Sequence, residues 1–292
     1  MTSAVRFLVL RSPAKINLGL AIGPKRPDGF HDITSIMVPL ELHDTVRLEH
    51  AAAGIRVTTN RADLPTGPGN LAHRAAAGFF AAARLDAGCR IHITKRIPIG
   101  GGLGGGSSNA ATVLMGLNRL FNQPLSERRL RLVAATLGSD VPVFLRPGAS
   151  VARGRGEKLR PIHVPQLHVL LYFPGFGVPT AWAYGALDRY RARRGLTSFG
   201  FSPKILGASL RRNKLDSAAR QVRNDFEPIV FRRHPSLGRV RKLMIEHGAF
   251  AAALSGSGST VYGLVPAHGW KDPMASMKRH GFPCTHTRTM TA

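Results

Sequence analysis

The sequence predicts an α+β protein, and three observations carry that expectation. Runs with a two-residue apolar period and runs with a helical period both recur along the chain. One stretch joins the two kinds through a run of glycines, and the strand-and-helix pattern starts again near residue 160. The joining stretch, Cys89 to Phe121, reads as strand, glycine loop and helix. In it Ile91, Ile93 and Ile97 alternate with polar residues, as in a half-buried strand, and Pro98 closes the strand. Six of the seven residues from Gly100 to Gly106 are glycine. Ser107 or Ser108 is expected to N-cap the helix, which carries Ala111, Leu114, Met115, Leu117 and Phe121 at helical spacing until Pro124 stops it.

A glycine inside a regular element costs roughly 0.5–1 kcal/mol relative to alanine. A loop that keeps so many needs positive φ or bare backbone against a ligand. Amides at a helix N-terminus, backed by the helix dipole, suit phosphate. Pro98, Ile99, Gly100, Gly101, Gly102, Leu103, Gly104, Gly105, Gly106, Ser107 and Ser108 therefore read as a cradle for a triphosphate. A flexible linker is the alternative, but a linker has no reason to sit between an alternating strand and a helix. The pattern GxxxxGK followed by Ser or Thr fails, because no lysine precedes Ser107. GxGxxG matches at Gly100, Gly102 and Gly105, yet the acidic residue expected about 20 positions on is missing from a second strand. The nearest, Glu127, follows Ser126 in the first turn of another helix. The loop is thus expected to bind phosphate by another arrangement, with its lysine supplied from elsewhere.

With 292 residues and 43% hydrophobic content the chain can bury one large core or two ordinary ones. Cys89 and Cys284 give no disulfide framework, and the 12 histidines form no HExxH motif and no Cys/His cluster, which argues against zinc. No charged-then-apolar leader and no apolar run near ~20 residues is present, so a soluble cytoplasmic protein with no membrane partner is expected. The net charge of +25 points to anionic ligands, nucleic acid or an acidic surface. Much of it lies in late clusters: Arg191, Arg193 and Arg194; Arg211, Arg212 and Lys214; Arg232 and Arg233; Arg239, Arg241 and Lys242. Their helical spacing suits solvated helix faces; a nucleic-acid surface is the other reading, weakened by sparse stacking aromatics.

Residues 5–22 read as a strand, a break at Pro13 and a second strand, with Ile16, Leu18, Leu20 and Ile22 on one face and Lys15, Asn17 and Gly19 on the other. Alone, Lys15 would be a solvated outer-face residue; it is a phosphate-site candidate because the glycine loop lacks a lysine. The turn Pro27-Asp28-Gly29 presents Phe30 and His31 at the start of the next strand. That pair suits a flat base, one stacking and the other hydrogen bonding at the ring edge, or else is a core phenylalanine beside a surface histidine. Val46–Glu49 and Ile55–Thr59 look like a hairpin. Asn70 is a good N-cap for an alanine-rich helix through Leu85, and a cap beside a loop can also touch a nucleotide. A helix from Ser126 to Gly138 leads into Ser139-Asp140-Val141-Pro142, where Asp140 is either a turn former or an acid facing a cleft. Val151 to Glu157 reads as a strand entering a tight basic turn.

In the second half, HVLLYF is a buried-type strand, and the helix after it carries Trp182 and Tyr184. RARRGLTSFGFSPK is expected as loop, with helices around 205–222 and 225–247 and strands Phe250–Leu254 and Val261–Val265. The loop Ser255 to Thr260 is not a hydrolase elbow, since GxSxG would need glycine at Ser255. It is expected to approach a ligand, or the first glycine loop, closely.

Taken together, PAKINLGL, DGFH, PIGGGLGGGSSNAATVL, LGSDVPVFL, GRGE and LSGSGSTVYG resemble the GHMP kinase superfamily in motif order over nearly the whole chain. The resemblance implies a ribosomal protein S5 domain 2-like N-terminal domain (1–158) and a smaller ferredoxin-like α/β C-terminal domain (159–292), with the active site in the cleft between them. It implies transfer of the ATP γ-phosphate, with Mg²⁺, to the 2-hydroxyl of a cytidine-diphosphate-linked methylerythritol in the non-mevalonate isoprenoid pathway. Lys15 and Asp140 would be the catalytic pair, and Asn70 would lie in the nucleotide region. Phe30, His31 and Tyr184 would hold the cytosine, and Asn17 would approach the erythritol part. The family commonly has tyrosine where Phe30 stands; stacking survives that exchange. The metal's protein ligand is not evident, with Ser108 one contributor to consider. The resemblance implies ATP and the cytidylated sugar alcohol as partners, no membrane, no obligatory nucleic acid, and a monomer or weak homodimer. Alternatives are a GHMP enzyme acting on mevalonate or homoserine, or a basic RNA-binding protein on an S5-like scaffold.

Overall fold

The computed structural model describes residues 7–194 and 200–291. They fold into two compact units. The first comprises the chain up to Ala14, Leu42–Ile97 and Gly104–Arg146; the second comprises Lys15–Glu41, Pro98–Leu103 and the chain from Pro147 on. Strands β1 (Phe7–Lys25) and β2 (His31–Ala51) pass through both.

In the first unit, β4 (Gly88–Thr94) pairs antiparallel with the C-terminal half of β2, from Thr45↔Thr94 to Ala51↔Gly88. On its other edge it pairs parallel with β3 (Ile55–Thr59), from Ile55↔Cys89 to Thr59↔Ile93. The expected hairpin of Val46–Glu49 with Ile55–Thr59 is therefore not formed. Parallel strands need a crossover, and α1 (Leu71–Ala83) supplies it, which lets β4 insert between the other two. Besides the crossover helix α1, three helical segments of this unit follow β4 among the described residues: α2 (Gly105–Leu120), α3 (Glu127–Leu137) and a 3₁₀ turn over Val141–Leu145. The core joins α1 to the end of α2 through an aromatic group, with Phe121 against Phe79 and Phe80 at centroid distances of 6.0 and 5.4 Å. Asn70 caps α1 as expected, its side chain accepting from the Ala72 amide at 2.9 Å, and Ser126 caps α3.

In the second unit, the N-terminal half of β2 pairs antiparallel with β5 (Ser150–Gly154), which pairs with β6 (Lys158–Pro161). A separate antiparallel sheet has the order β10–β7–β9–β8, built from β7 (His168–Tyr172), β8 (Ala251–Leu254), β9 (Val261–Val265) and β10 (Thr285–Arg288). Every residue of β8 and β9 is buried, which is why they read as continuous apolar runs rather than alternating ones. The helices are α4 (Thr180–Ala192), α5 (Pro203–Arg211), α6 (Leu215–Ala219), α7 (Glu227–Arg233), α8 (Pro235–Glu246) and α9 (Lys271–Arg279).

Several expectations need correction. β1 runs unbroken through Pro13, and its one strand partner among the described residues is β2. The helix expected at 205–222 splits at Asn213, whose φ of +52° is left-handed. The one expected at 225–247 splits at Pro235, because proline begins a new helix and excludes helical geometry at the residue before it. The expected loop from Arg191 is helical through Ala192, and its residues 195–199 lie outside those described, as do residues 5 and 6 of the first strand. The elements α9 and β10 carry too little apolar period to be read from sequence.

A largely covered carboxylate ties α7 to β8. Glu227 accepts from the Leu254 amide at 2.9 Å, and Arg241 Nε lies 3.7 Å from its other oxygen. Burial pushes the carboxyl from its ordinary value of 4.5 up to about 7, against the opposing pull of Arg241 and the amide. The fold holds a proton there that the unfolded chain releases earlier, so this contribution is complete below pH 4.5 and lost as the pH rises to about 7. It amounts to at most about 3 kcal/mol. Glu227→Gln keeps the acceptor oxygen and does not titrate. In thermal denaturation, wild type is expected to lose stability relative to this variant between pH 4.5 and about 7 and to hold a constant difference above; a difference that stays flat throughout refutes the linkage.

Candidate active site

The glycine loop owes its composition to two constraints. Gly100, Gly102 and Gly104 have φ of +72°, +77° and +71°, the region in which a Cβ is strained. In the second unit the loop also lies backbone to backbone against Ser255–Thr260: a Cβ on Gly102 would stand 2.1 Å from the Ser255 carbonyl oxygen, and one on Gly101 2.7 Å from Thr260 Oγ1. The Thr260 amide donates to the Gly101 carbonyl at 3.1 Å, and Ser255 Oγ donates to the Gly102 carbonyl at 3.0 Å. The close approach expected of the Ser255–Thr260 loop is thus made to the first glycine loop.

The expected Ser107 or Ser108 cap is not found. Helix α2 starts at Gly105, its N-cap is Gly104 in left-handed geometry, no side chain caps it, and its first turn contains no acid. Both serines lie inside that first turn. The leading amides of α2 have neither an intrahelical acceptor nor a capping oxygen, and the dipole behind them is not offset. That is the physical form of an anion site. Ser108 is fully buried and accepts from Ser12 Oγ at 2.8 Å.

Asp44, which the sequence reading missed, fixes both flanks of this helix start within the first unit. Its carboxylate is inaccessible and accepts from the Arg96 and Ile97 amides at 2.7 and 2.9 Å, on the strand side of the loop. On the helix side it accepts from Asn109 Nδ2 at 2.9 Å, and Lys95 Nζ pairs with the same oxygen. Lys95 also donates to Asn109 Oδ1 at 3.1 Å, and Asn109 Nδ2 donates to Ser12 Oγ at 2.8 Å. Asn109 is within the SSNAA motif, so a signal for it existed; nothing local marks Asp44.

Lys15 and Asn17 lie in the second unit and are 3% and 2% exposed, so the solvated-face reading of Lys15 fails. Both faces of β1 are covered over 14–22. Lys15 Nζ donates to Asn17 Oδ1 at 2.8 Å and to the Gly102 carbonyl at 3.0 Å, while its amide donates to the Leu103 carbonyl at 2.9 Å. A lysine of β1 thus reaches the main chain of the glycine loop. Asn17 is a junction: Oδ1 also accepts from the Gly256 amide at 3.1 Å, Nδ2 donates to Ser35 Oγ at 2.8 Å, and its carbonyl accepts from the buried Tyr262 hydroxyl at 2.7 Å. One Nδ2 hydrogen has no partner among the described residues. Asn224, also missed, holds the Ser255–Thr260 loop by donating to the Leu254 and Gly256 carbonyls, each at 2.7 Å.

His31 and Tyr184 come together in the second unit, with Phe30 next to His31 in the chain. His31 is buried and stacks on Tyr184 of α4 at 5.0 Å and 22°. Its Nδ1 faces the Gly23 carbonyl at 3.0 Å and its Nε2 faces Asp188 at 3.3 Å. Nδ1 thus faces main chain, and Nε2 lies beside a half-exposed carboxylate. Phe30 is half exposed, with the Arg155 guanidinium 3.6 Å over its ring.

Asp140, in the first unit, is the N-cap residue of the 3₁₀ turn but makes no capping bond, so its carboxylate is not there for that turn. The apolar run after it forms this 3₁₀ turn. Arg191, read from sequence as part of a solvated face, instead pairs with buried Asp225 at 2.6 Å and donates to the Ile22 carbonyl at 2.8 Å. Asp225 in turn accepts from the Ile22 amide at 2.8 Å, which ties α4 to β1. Burial raises the Asp225 carboxyl above its usual range against the pull of that amide and of Arg191.

Among the described residues no group of three His, Cys, Asp or Glu side chains could hold a metal ion, and no helix is long and apolar enough to cross a membrane.

The family models for the GHMP kinases N terminal domain and the GHMP kinases C terminal match residues 70–148 and 206–274. A 4-diphosphocytidyl-2-C-methyl-D-erythritol kinase of Geobacter sulfurreducens is 40% identical over 268 residues, covering 89% of this chain and 90% of its own. One of Pelotomaculum thermopropionicum is 40% identical over 253 residues, 86% of each. The crystal structure of a 4-(cytidine 5'-diphospho)-2C-methyl-D-erythritol kinase aligns with a TM-score of 0.82 at 34% identity, covering 98% of this chain and all of that one. A homoserine kinase from Cytophaga hutchinsonii aligns with a TM-score of 0.75 at 17% identity, a likeness of fold alone. With its uncapped glycine helix start, its strand lysine and these relatives, the chain belongs to the GHMP kinase family.

Proposed function

We propose that the chain is an ATP-dependent kinase that phosphorylates the 2-hydroxyl of 4-diphosphocytidyl-2-C-methyl-D-erythritol, in the non-mevalonate route to isoprenoids. The observation that carries this reading is the uncapped N-terminus of α2 behind a glycine loop whose Gly102 carbonyl is gripped by Lys15. The names of the relatives at 40% identity support the choice of substrate. Residues 70–148 and 206–274 fall on either side of residue 158, which supports an ATP-binding part over 1–158 and a second part over 159–292, in a cytoplasmic enzyme.

Phosphoryl transfer asks the protein for placement and charge neutralisation more than for a strong nucleophile. In this reading the α2 amides hold the nucleotide's phosphates, and Asn70 serves the nucleotide region from the start of α1. Asp140 accepts the proton of the acceptor hydroxyl, and Lys15 steadies the transferring phosphoryl. Mg²⁺ would supply further charge neutralisation at the phosphates, and because no cluster of three His, Cys, Asp or Glu side chains could hold it among the described residues, the nucleotide itself would have to carry it. Phe30, with the stacked His31 and Tyr184, forms an aromatic wall for the cytosine, and the uncommitted Nδ2 hydrogen of Asn17 is offered to the sugar alcohol. The aromatic group favours a cytidylated acceptor over mevalonate or homoserine, which have no base to stack.

Asp140→Asn is expected to lower kcat by roughly 10²–10⁴ with thermal stability retained; full turnover in that variant would remove Asp140 from the mechanism. Gly102→Ala forces a Cβ into the Ser255 carbonyl at positive φ, and is expected to raise the KM for ATP and lower the melting temperature. A variant unchanged in both would show that the close approach is dispensable. In a coupled assay, ATP turnover is expected to require the cytidylated sugar alcohol. Turnover with uncytidylated alcohols at the same rate favours the mevalonate or homoserine reading.

A further inference from the structure

We propose that the face shared by α4 and α7 is a binding track for single-stranded RNA, separate from the kinase chemistry. The packing of these two helices leaves an open cavity of about 420 Å³. Arg189, Arg193 and Arg194 line it from the α4 side, and Arg232 and Arg233 from α7. All five are exposed, and among the described residues none is in an ion pair. Arg191, on the same helix, shows the contrast, since Asp225 neutralises it. Five cations gathered without a counter-charge raise the local positive potential and attract an anion to this face.

The aromatics that the sequence scattered are gathered here as well. Trp182 and Tyr190 both line the cavity, with the Arg233 guanidinium 4.5 Å from the Trp182 ring centroid and that of Arg194 5.0 Å from the Tyr190 centroid. A guanidinium resting its face on a ring keeps its N–H groups in plane and free for phosphate oxygens. Trp182, Ala186, Arg189, Tyr190 and Arg193 share one face of α4 by their spacing of four, seven, eight and eleven residues. Trp182 and Tyr190 stand two turns apart, about 12 Å along the axis. Two aromatic stations with arginines between them make a track for alternating bases and phosphates, whereas one compact anion would need the charges aimed at a single point. The net charge of +25 adds long-range attraction for such a strand.

The test uses the full chain and a fluorescein-labelled decauridine RNA, followed by anisotropy from about 50 to about 250 mM KCl. Arg232→Gln with Arg233→Gln is expected to weaken binding about tenfold or more and to flatten the log–log salt slope by about 1.4, roughly 0.7 for each lost phosphate contact. Trp182→Ala is expected to weaken binding by about tenfold at unchanged slope, the mark of lost stacking. Arg128→Gln with Arg129→Gln, the same charge change on exposed positions of α3, is expected to leave binding unmoved. Inorganic polyphosphate is expected to compete with an affinity indifferent to Trp182→Ala, which separates base stacking from plain anion capture. No RNA binding at about 100 mM KCl, or an α3 pair that weakens it as much as the α7 pair, overturns the proposal. So does an RNA affinity that Trp182→Ala leaves intact, because the patch is then a general anion site.

Discussion

The Gly102 carbonyl is the point on which the second unit's part of the site depends. It takes hydrogen bonds from Lys15 Nζ and Ser255 Oγ, and so ties the glycine loop to β1 and to the Ser255–Thr260 loop. A hydrogen bond from a charged donor is worth about 1.5–3 kcal/mol, and leaving a buried ammonium without such oxygens costs more. The same ammonium is bonded to Asn17, which holds the Gly256 amide, and Asn224 holds the Gly256 carbonyl. A chain of polar contacts thus takes the place of a regular element in setting the loop's path. It also explains why the loop tolerates no side chain at Gly102: the space a Cβ needs is taken by main chain.

The first unit solves a matching problem with the opposite charge. Asp44 sits where the strand ends and the helix has not begun, and it accepts from main-chain amides before the loop and from Asn109 after it. Asp44 captures the amides on the strand side, while the α2 amides on the far side of the loop have no side-chain cap. Helix α2 carries no side-chain cap, in contrast to α1 and α3, which are capped by Asn70 and Ser126.

Charge on the later helices divides by position. Arg191 and Arg241 turn inward toward Asp225 and Glu227, both carboxylates raised by burial, and serve to hold helices to strands. Arg189, Arg193, Arg232 and Arg233 face outward round the cavity of α4 and α7. Neighbours in sequence thus do different physical work, because a helix turns successive residues by about 100°.

The sequence alone determined what rests on local chemistry. The glycine loop between strand and helix, the caps at Asn70 and Ser126, the strand Val261–Val265 and the motif order of the family were all legible, because glycine, cap and periodicity rules act over a few residues. Tertiary structure decided what rests on distant partners. It placed β4 between β2 and β3, buried Lys15, recruited Asp44 and Asn224, turned Nδ1 of His31 to main chain, and set Trp182 and Tyr190 among arginines of two helices. None of these is written in any short window, since the groups that make each contact are brought together only by the folded path of the chain.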